Sequence, residues 1–199
     1  MWVKICGCRT PAGVEAAIAA GADAIGFIFA ESGRRVGVAE AARLARGVPS
    51  GVAVVGVLRS PTLGDIRRLQ ESLRLDMVQV SGRMPPGDPG LPVLRTIYLG
   101  AGDRLPPGPL PRADLLHLDR RQGDRFGGSG LPVGRQAARR IASQRKTVLA
   151  GGLTPETVAQ AILAVEPFGV DVASGVETAG QQDPLRIRAF VRQARGALG

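Results

Sequence analysis

The chain has 199 residues, 44% of them hydrophobic, enough for one substantial core and short for two domains. No apolar run approaches the roughly 18–20 residues that span a bilayer, and Met1-Trp2-Val3-Lys4-Ile5-Cys6 enters a strand-like segment without the layout of a secretion signal. The formal net charge is +9 with aromatics at 4%, and the arginines are scattered, so a solvated basic surface that attracts a phosphorylated small molecule is expected rather than a nucleic-acid or membrane partner. The expected location is the cytoplasm.

The first apolar run covers residues 3–6, and a helix over 11–20 follows, with Pro11 where a missing N–H is tolerated. A second run at 24–29 precedes a helix at 39–46, and a third at 53–58 precedes a helix at 63–73. The fourth run is 77–80, the fifth lies within 91–99 and the sixth is 115–118. A helix over 133–143 leads to a seventh run at 147–150, and a helix over 155–165 to an eighth at 170–173, before a last helix over 184–197. Residues 83–90, 100–112 and 120–132 are rich in Pro, Gly or Arg and are expected to be loops.

Strands that are apolar throughout imply burial on both faces, as in parallel sheets. Eight of them alternating with helices predict an α/β fold, a (β/α)8 TIM barrel in a single domain spanning residues 1–199. An open doubly wound sheet is the structural alternative, weakened because no Gly-x-Gly-x-x-Gly turn follows the first strand.

The active site of such a barrel lies at the C-terminal ends of its strands. Those ends carry Cys6-Gly7, Ser32-Gly33-Arg34-Arg35, Arg59-Ser60, Gln79-Val80-Ser81-Gly82, Asp119, Gly151-Gly152 and Ser174-Gly175. A thiol, a carboxyl and cations therefore converge on one mouth. Cys6 and Cys8 are the two cysteines; a disulfide between residues two apart would be strained, and the single histidine, His117, does not complete a metal site with them. Two buried thiols, or one buried thiol and one catalytic base, are both open. No metal and no cofactor are expected. Gly127-Gly128-Ser129-Gly130, Gly151-Gly152 and Ser174-Gly175 suit phosphate binding, because glycines let backbone N–H groups approach an anion.

Several motifs, in order and over nearly the whole chain, resemble the phosphoribosylanthranilate isomerase family of tryptophan biosynthesis. They are Lys4-Ile5-Cys6-Gly7, Gly21-Ala22-Asp23-Ala24-Ile25-Gly26-Phe27, Val55-Gly56-Val57, Asp76-Met77-Val78-Gln79, Leu118-Asp119 with the Gly-Gly-Ser-Gly cluster, Leu149-Ala150-Gly151-Gly152-Leu153, and Gly169-Val170-Asp171-Val172-Ala173-Ser174-Gly175-Val176-Glu177. The resemblance implies an Amadori-type aldose–ketose isomerase without a cofactor, acting as a monomer or homodimer, with Cys6 as general base and Asp119 as general acid. It implies that Gly128, Ser129, Gly151, Gly152, Ser174 and Gly175 hold the phosphate. An arginine after strand two would bind the substrate carboxylate: a gapless count from Phe29 to Glu40 favours Arg35, the local Ser-x-Arg pattern Arg34. The chain departs from the family at Ser81, Leu58, Leu131-Pro132-Val133-Gly134 and Ala179-Gly180-Gln181-Gln182-Asp183, which bears on the aryl part of the substrate more than on the reaction. The alternatives are a related rearrangement of another phosphosugar amine, and a noncatalytic phosphate- or nucleic-acid-binding barrel. A binder would need neither Cys6 nor Asp119.

Overall fold

The computed structural model describes residues 1–99, 108–122, 125–126 and 134–197, with 121–122 and 125–126 described by backbone alone. The barrel wall has eight strands, in chain order β1 (Trp2–Cys6), β2 (Ala24–Ile28), β3 (Ala53–Arg59), β4 (Met77–Ser81), β5 (Val93–Leu99), β6 (Leu115–Gln122), β7 (Thr147–Leu149) and β8 (Gly169–Val172). Each pairs in parallel with its neighbours, β1 with both β2 and β8, and the β5–β6 pairing closes the ring. The predicted barrel is therefore present, closed rather than open.

The helices are α1 (Pro11–Ala19), α2 (Val38–Ala45), α3 (Leu63–Ser72), α4 (Arg135–Ala142), α5 (Val158–Val165) and α6 (Pro184–Gly196). Their starts are fixed by side chains that satisfy otherwise orphaned N–H groups. Thr10 accepts from the Gly13 amide, Thr62 and Asp65 cap each other reciprocally, and Asp183 accepts from the Leu185 and Arg186 amides. No regular helix joins β4 to β5, as the Pro/Gly-rich run at 83–90 predicts.

Two boundaries differ from the sequence reading by more than two residues. α5 starts at Val158 rather than at residue 155, because Thr154 and Thr157 first close a turn through the Thr157 hydroxyl, 3.0 Å from the Thr154 amide. β6 continues to Gln122 instead of giving way to a loop at residue 120. It pairs antiparallel with Arg125–Phe126, so this stretch satisfies its backbone with itself beyond the barrel wall. Residues 100–107, 123–124 and 127–133, parts of the predicted loops, lie outside the described residues.

Alternation along the strands divides the apolar residues into two cores. Outward residues such as Val3, Ile25, Phe27, Val78, Leu118 and Val170 join Ile66, Ile141, Ile162 and Phe190 of the helices in one cluster. Inward residues at the N-terminal ends of the strands, Leu94, Leu115 and Val148 with Trp2 and Met77, form a separate apolar plug. Two residues further along the same strands stand Lys4, Gln79, Thr96 and His117, all buried, joined by Asp171 of β8. Two further still are Cys6, Ser81, Tyr98 and Asp119, which face the mouth. The barrel interior thus passes from an apolar stopper through a polar middle layer to a reactive rim.

Leu118 is fully buried in the outer core. Leu118→Ala is expected to destabilise the fold by about 2–5 kcal/mol, read as a lower midpoint in urea unfolding with an unchanged slope.

Candidate active site

A cavity of about 690 Å³ opens at the C-terminal ends of the strands, and both Cys6 and Asp119 line it. The two cysteines have separate fates. Both are free thiols, but Cys8 is in the outer core, where its sulfur accepts from Gln182 Nε2 at 3.4 Å. Burial pushes the Cys8 thiol up to about 12. Cys6 faces the cavity; burial pushes it up to about 11, against the pull of Lys4.

The sequence leaves open which cation serves Cys6. Arg9 is spent elsewhere, donating to the Gly33 and Gly180 carbonyls at 2.9 and 2.6 Å. Lys4 is fully buried, donates to Asp171 Oδ2 at 3.0 Å and shares with the Cys6 sulfur the space beside Gly26. Burial alone would lower the Lys4 pKa, but Asp171 and Cys6 outweigh it and the net direction is upward. Burial likewise works to raise Asp171, and Lys4 and His117 reverse it, so Asp171 stays below the usual carboxylate range. His117 Nε2 lies 2.9 Å from the same Asp171 oxygen. Its Nδ1 lies 3.3 Å from Thr96 Oγ1 and 3.5 Å from Gln79 Nε2. The tautomer with its hydrogen on Nε2 suits all three neighbours.

Asp119 sits where β6 leaves β7, one residue beyond the Leu118–Leu149 pair. Burial raises its pKa, more than His117 and the Arg120 amide lower it. That amide donates to Asp119 Oδ1 at 2.7 Å. The arginine pair separates by one residue. Arg34 lines the cavity, and its guanidinium makes a two-pronged pair with Glu177 at 2.7 Å on each prong, which raises the Arg34 pKa. Arg35 is exposed, meets β2 through a backbone bridge to Ile28, and is not among the residues that line the cavity.

Gly151, Gly152, Ser174 and Gly175 all line the cavity. Gly151 and Gly152 have φ of 80° and 74°, a region that favours glycine. Gly175 has a different reason: a Cβ there would overlap the Leu153 carbonyl oxygen, so the loops after β7 and β8 touch backbone to backbone. Gly128 and Ser129 lie outside the described residues.

Tyr98, His117, Asp171 and Glu177 also belong to the site or its support, and the sequence reading gave them no role. Their signal is a polar residue inside an apolar strand at a two-residue step below or beside a rim residue: Lys4 to Cys6, His117 to Asp119, Thr96 to Tyr98. Among the described residues, no group of three or more His, Cys, Asp or Glu side chains suits a metal, and no helix is long and apolar enough to cross a membrane.

A closed parallel barrel with a thiol and a half-buried carboxyl at its C-terminal rim defines the class, a (β/α)8-barrel enzyme. Residues 3–193 match the family described as N-(5'-phosphoribosyl)anthranilate (PRA) isomerase. An N-(5'-phosphoribosyl)anthranilate isomerase of Roseiflexus castenholzii is 39% identical over 214 residues, covering 99% of each chain. The solved phosphoribosyl anthranilate isomerase of Thermus thermophilus superposes with a TM-score of 0.84 at 32% identity, covering 98% of this chain and 99% of that one. A further solved isomerase, in complex with reduced 1-(o-carboxyphenylamino)-1-deoxyribulose 5-phosphate, has a TM-score of 0.76 at 27% identity, covering 98% and 99%. The chain belongs to the N-(5'-phosphoribosyl)anthranilate isomerase family.

The glycine geometry is testable. Gly175→Ala is expected to cost about 1–3 kcal/mol, because rigid backbone must shift to admit the methyl group. Gly196→Ala, in the last turn of α6 with nothing near the new methyl, is expected to gain up to about 1 kcal/mol. Thermal melting of both variants beside the parent checks the contrast.

Proposed function

We propose that this chain converts N-(5-phosphoribosyl)anthranilate to 1-(2-carboxyphenylamino)-1-deoxyribulose 5-phosphate, as a cofactor-independent intramolecular oxidoreductase in the cytoplasm. The observation that carries the reading is the placement of Cys6 and Asp119 on one cavity of a barrel in this family. Asp119, whose pKa burial raises, gives its proton to the furanose ring oxygen. The bond from C1 to that oxygen breaks, and the anilino nitrogen lone pair forms the C1=N double bond. Cys6, as thiolate, takes the proton from C2, the C2–H electrons become the C1=C2 bond, and the C1=N π pair returns to nitrogen, giving an enolamine. Transfer of the C2 hydroxyl proton to C1 yields the ketone. C1 is reduced and C2 oxidised within one molecule, so the electron count closes without a cofactor.

Two further roles follow from the cavity wall. Arg34, rather than the outward Arg35, binds the anthranilate carboxylate, since a planar guanidinium suits a carboxylate and Glu177 holds it in one orientation. Gly151, Gly152, Ser174 and Gly175, with Gly128 and Ser129, bind the phosphate, in the place where barrels of this class commonly hold one.

Cys6→Ser and Asp119→Asn are each expected to lower kcat by about 10²–10⁴-fold with the fold intact. Both variants should fail to restore growth of a tryptophan auxotroph that lacks the isomerase and that the parent chain rescues. Full turnover by either variant would remove the assignment of that residue. No turnover by folded parent protein would redirect the reading to another phosphosugar amine. Arg34→Met should raise KM by about tenfold or more, in line with the loss of a charge-assisted contact, whereas Arg35→Met should leave KM near the parent value.

A further inference from the structure

We propose that Lys4 is the positioning residue that makes Cys6 usable as a base: its ammonium is the counter-ion of the Cys6 thiolate, held beneath the sulfur by Asp171, which His117 anchors in turn. The inference rests on the role given to Cys6 above and adds what activates it.

The geometry begins with strand alternation. Lys4 and Cys6 are two apart on β1 and project to the same side, into the barrel. Across from them on β2 stands Gly26, the partner of Cys6 in the ladder. A Cβ on Gly26 would lie 2.9 Å from Cys6 Sγ and 3.2 Å from Lys4 Nζ. The thiol and the ammonium therefore crowd the same small space, which the missing side chain leaves open. Lys4 lies beside Cys6 on one side and donates to Asp171 Oδ2 on the other.

A lysine buried this deeply would ordinarily lose its proton. Here Asp171 keeps it charged, and His117 Nε2, 2.9 Å from the same carboxylate oxygen, fixes the carboxylate from the far side. The other groups around the thiol supply less. The Arg34 charge, from the loop after β2, is engaged by Glu177. Burial disfavours charge on Asp119 of β6, Cys8 is a buried thiol in the outer core, and Arg9 bonds to loop carbonyls. Asp171 itself repels a thiolate, so without Lys4 the sulfur would face a net negative neighbour. The working ionisation, thiolate opposite carboxylic acid, is the minority form of the pair, since burial disfavours charge on both. Lys4 acts on the size of that minority.

The chain contains two lysines, Lys4 and Lys146, so lysine labelled with ¹⁵N at Nζ gives two side-chain signals. On raising the pH of the intact protein, the Lys4 signal should move together with the ionisation of Cys6, and that movement should vanish in Cys6→Ser. Independently, the rate of iodoacetamide alkylation at Cys6 should be followed against pH in a Cys8→Ala background. Lys4→Met should move its midpoint upward by about one pH unit or more and slow alkylation at pH 8 roughly tenfold. Lys4→Arg should restore most of the loss. A folded Lys4→Met protein with an unmoved midpoint would overturn the proposal, even if it melts earlier, because a purely structural lysine predicts that pattern. If Lys4→Met does not fold, a Lys4 signal that ignores the Cys6 titration in the parent overturns it equally. Neither readout uses turnover, so full isomerase activity in Cys6→Ser would remove the catalytic reading separately.

Discussion

The structure depends on a buried ion pair in the middle layer of the barrel interior. Lys4 and Asp171 face each other at 3.0 Å across the β1–β8 seam, with side-chain exposures of 0% and 6%. Desolvating two charges costs several kcal/mol per ion, and their attraction repays this only when geometry and further hydrogen bonds are good. His117 on β6 supplies one such bond to Asp171 Oδ2 and is itself held by Thr96 and Gln79 on β5 and β4, while Asp171 Oδ1 has no partner among the described residues. The polar middle layer thus ties β1 and β8 to the opposite wall, while the plug of Leu94, Leu115 and Val148 separates it from solvent at the N-terminal end. A pair removed from water on that side exerts its field toward the open mouth, where Cys6 and Asp119 stand.

One physical cause acts on both reactive groups and helps only one of them. Burial disfavours the charged form of each, so it favours protonated Asp119, as the proposed general acid requires, and protonated Cys6, which works against the proposed general base. Deepening the cavity to sharpen the acid would blunt the base. The two are reconciled by a cation placed beneath the sulfur and two strand residues away from it. Lys4 also pulls the Asp119 pKa down, but as the last of the influences on that carboxyl, behind His117 and the Arg120 amide, whereas it is the foremost influence opposing burial at Cys6. Distance within the layer separates the two effects.

Most of the fold was legible because apolar runs report burial on both faces directly, and the alternation of such runs with helices leaves few arrangements. The rim residues were legible because polar and glycine residues interrupt those runs where core must stop. The middle layer was not. A lone Lys4, His117 or Asp171 within an apolar strand carries no sign of which way it points, and a one-residue slip in register sends it to the other face. The arginine pair fails to resolve in the same way: Arg34 and Arg35 are adjacent, and a single step separates the cavity from solvent. The β6 extension was missed because its pairing partner, Arg125–Phe126, lies in the same Gly/Arg-rich stretch that composition alone assigns to a loop.

The same step of two explains why small residues occupy the seams beside the charged layer. Gly26 leaves room for both the Cys6 sulfur and the Lys4 ammonium, and Gly169 lies so close to Trp2 that a Cβ would come within 2.7 Å of its carbonyl oxygen. Close approach at both edges of β1 brings the strand bearing Lys4 and Cys6 against its two neighbours with little slack. A base whose pKa depends on one ammonium needs a fixed separation from it, because a Coulomb interaction in a poorly screened interior changes steeply with distance. A side chain at Gly26 would meet the sulfur and the ammonium directly and alter that separation, and one at Gly169 would push β1 from β8 and shift the ammonium from Asp171. The glycines of β2 and β8 therefore belong to the chemistry of the thiol as much as to the closure of the barrel.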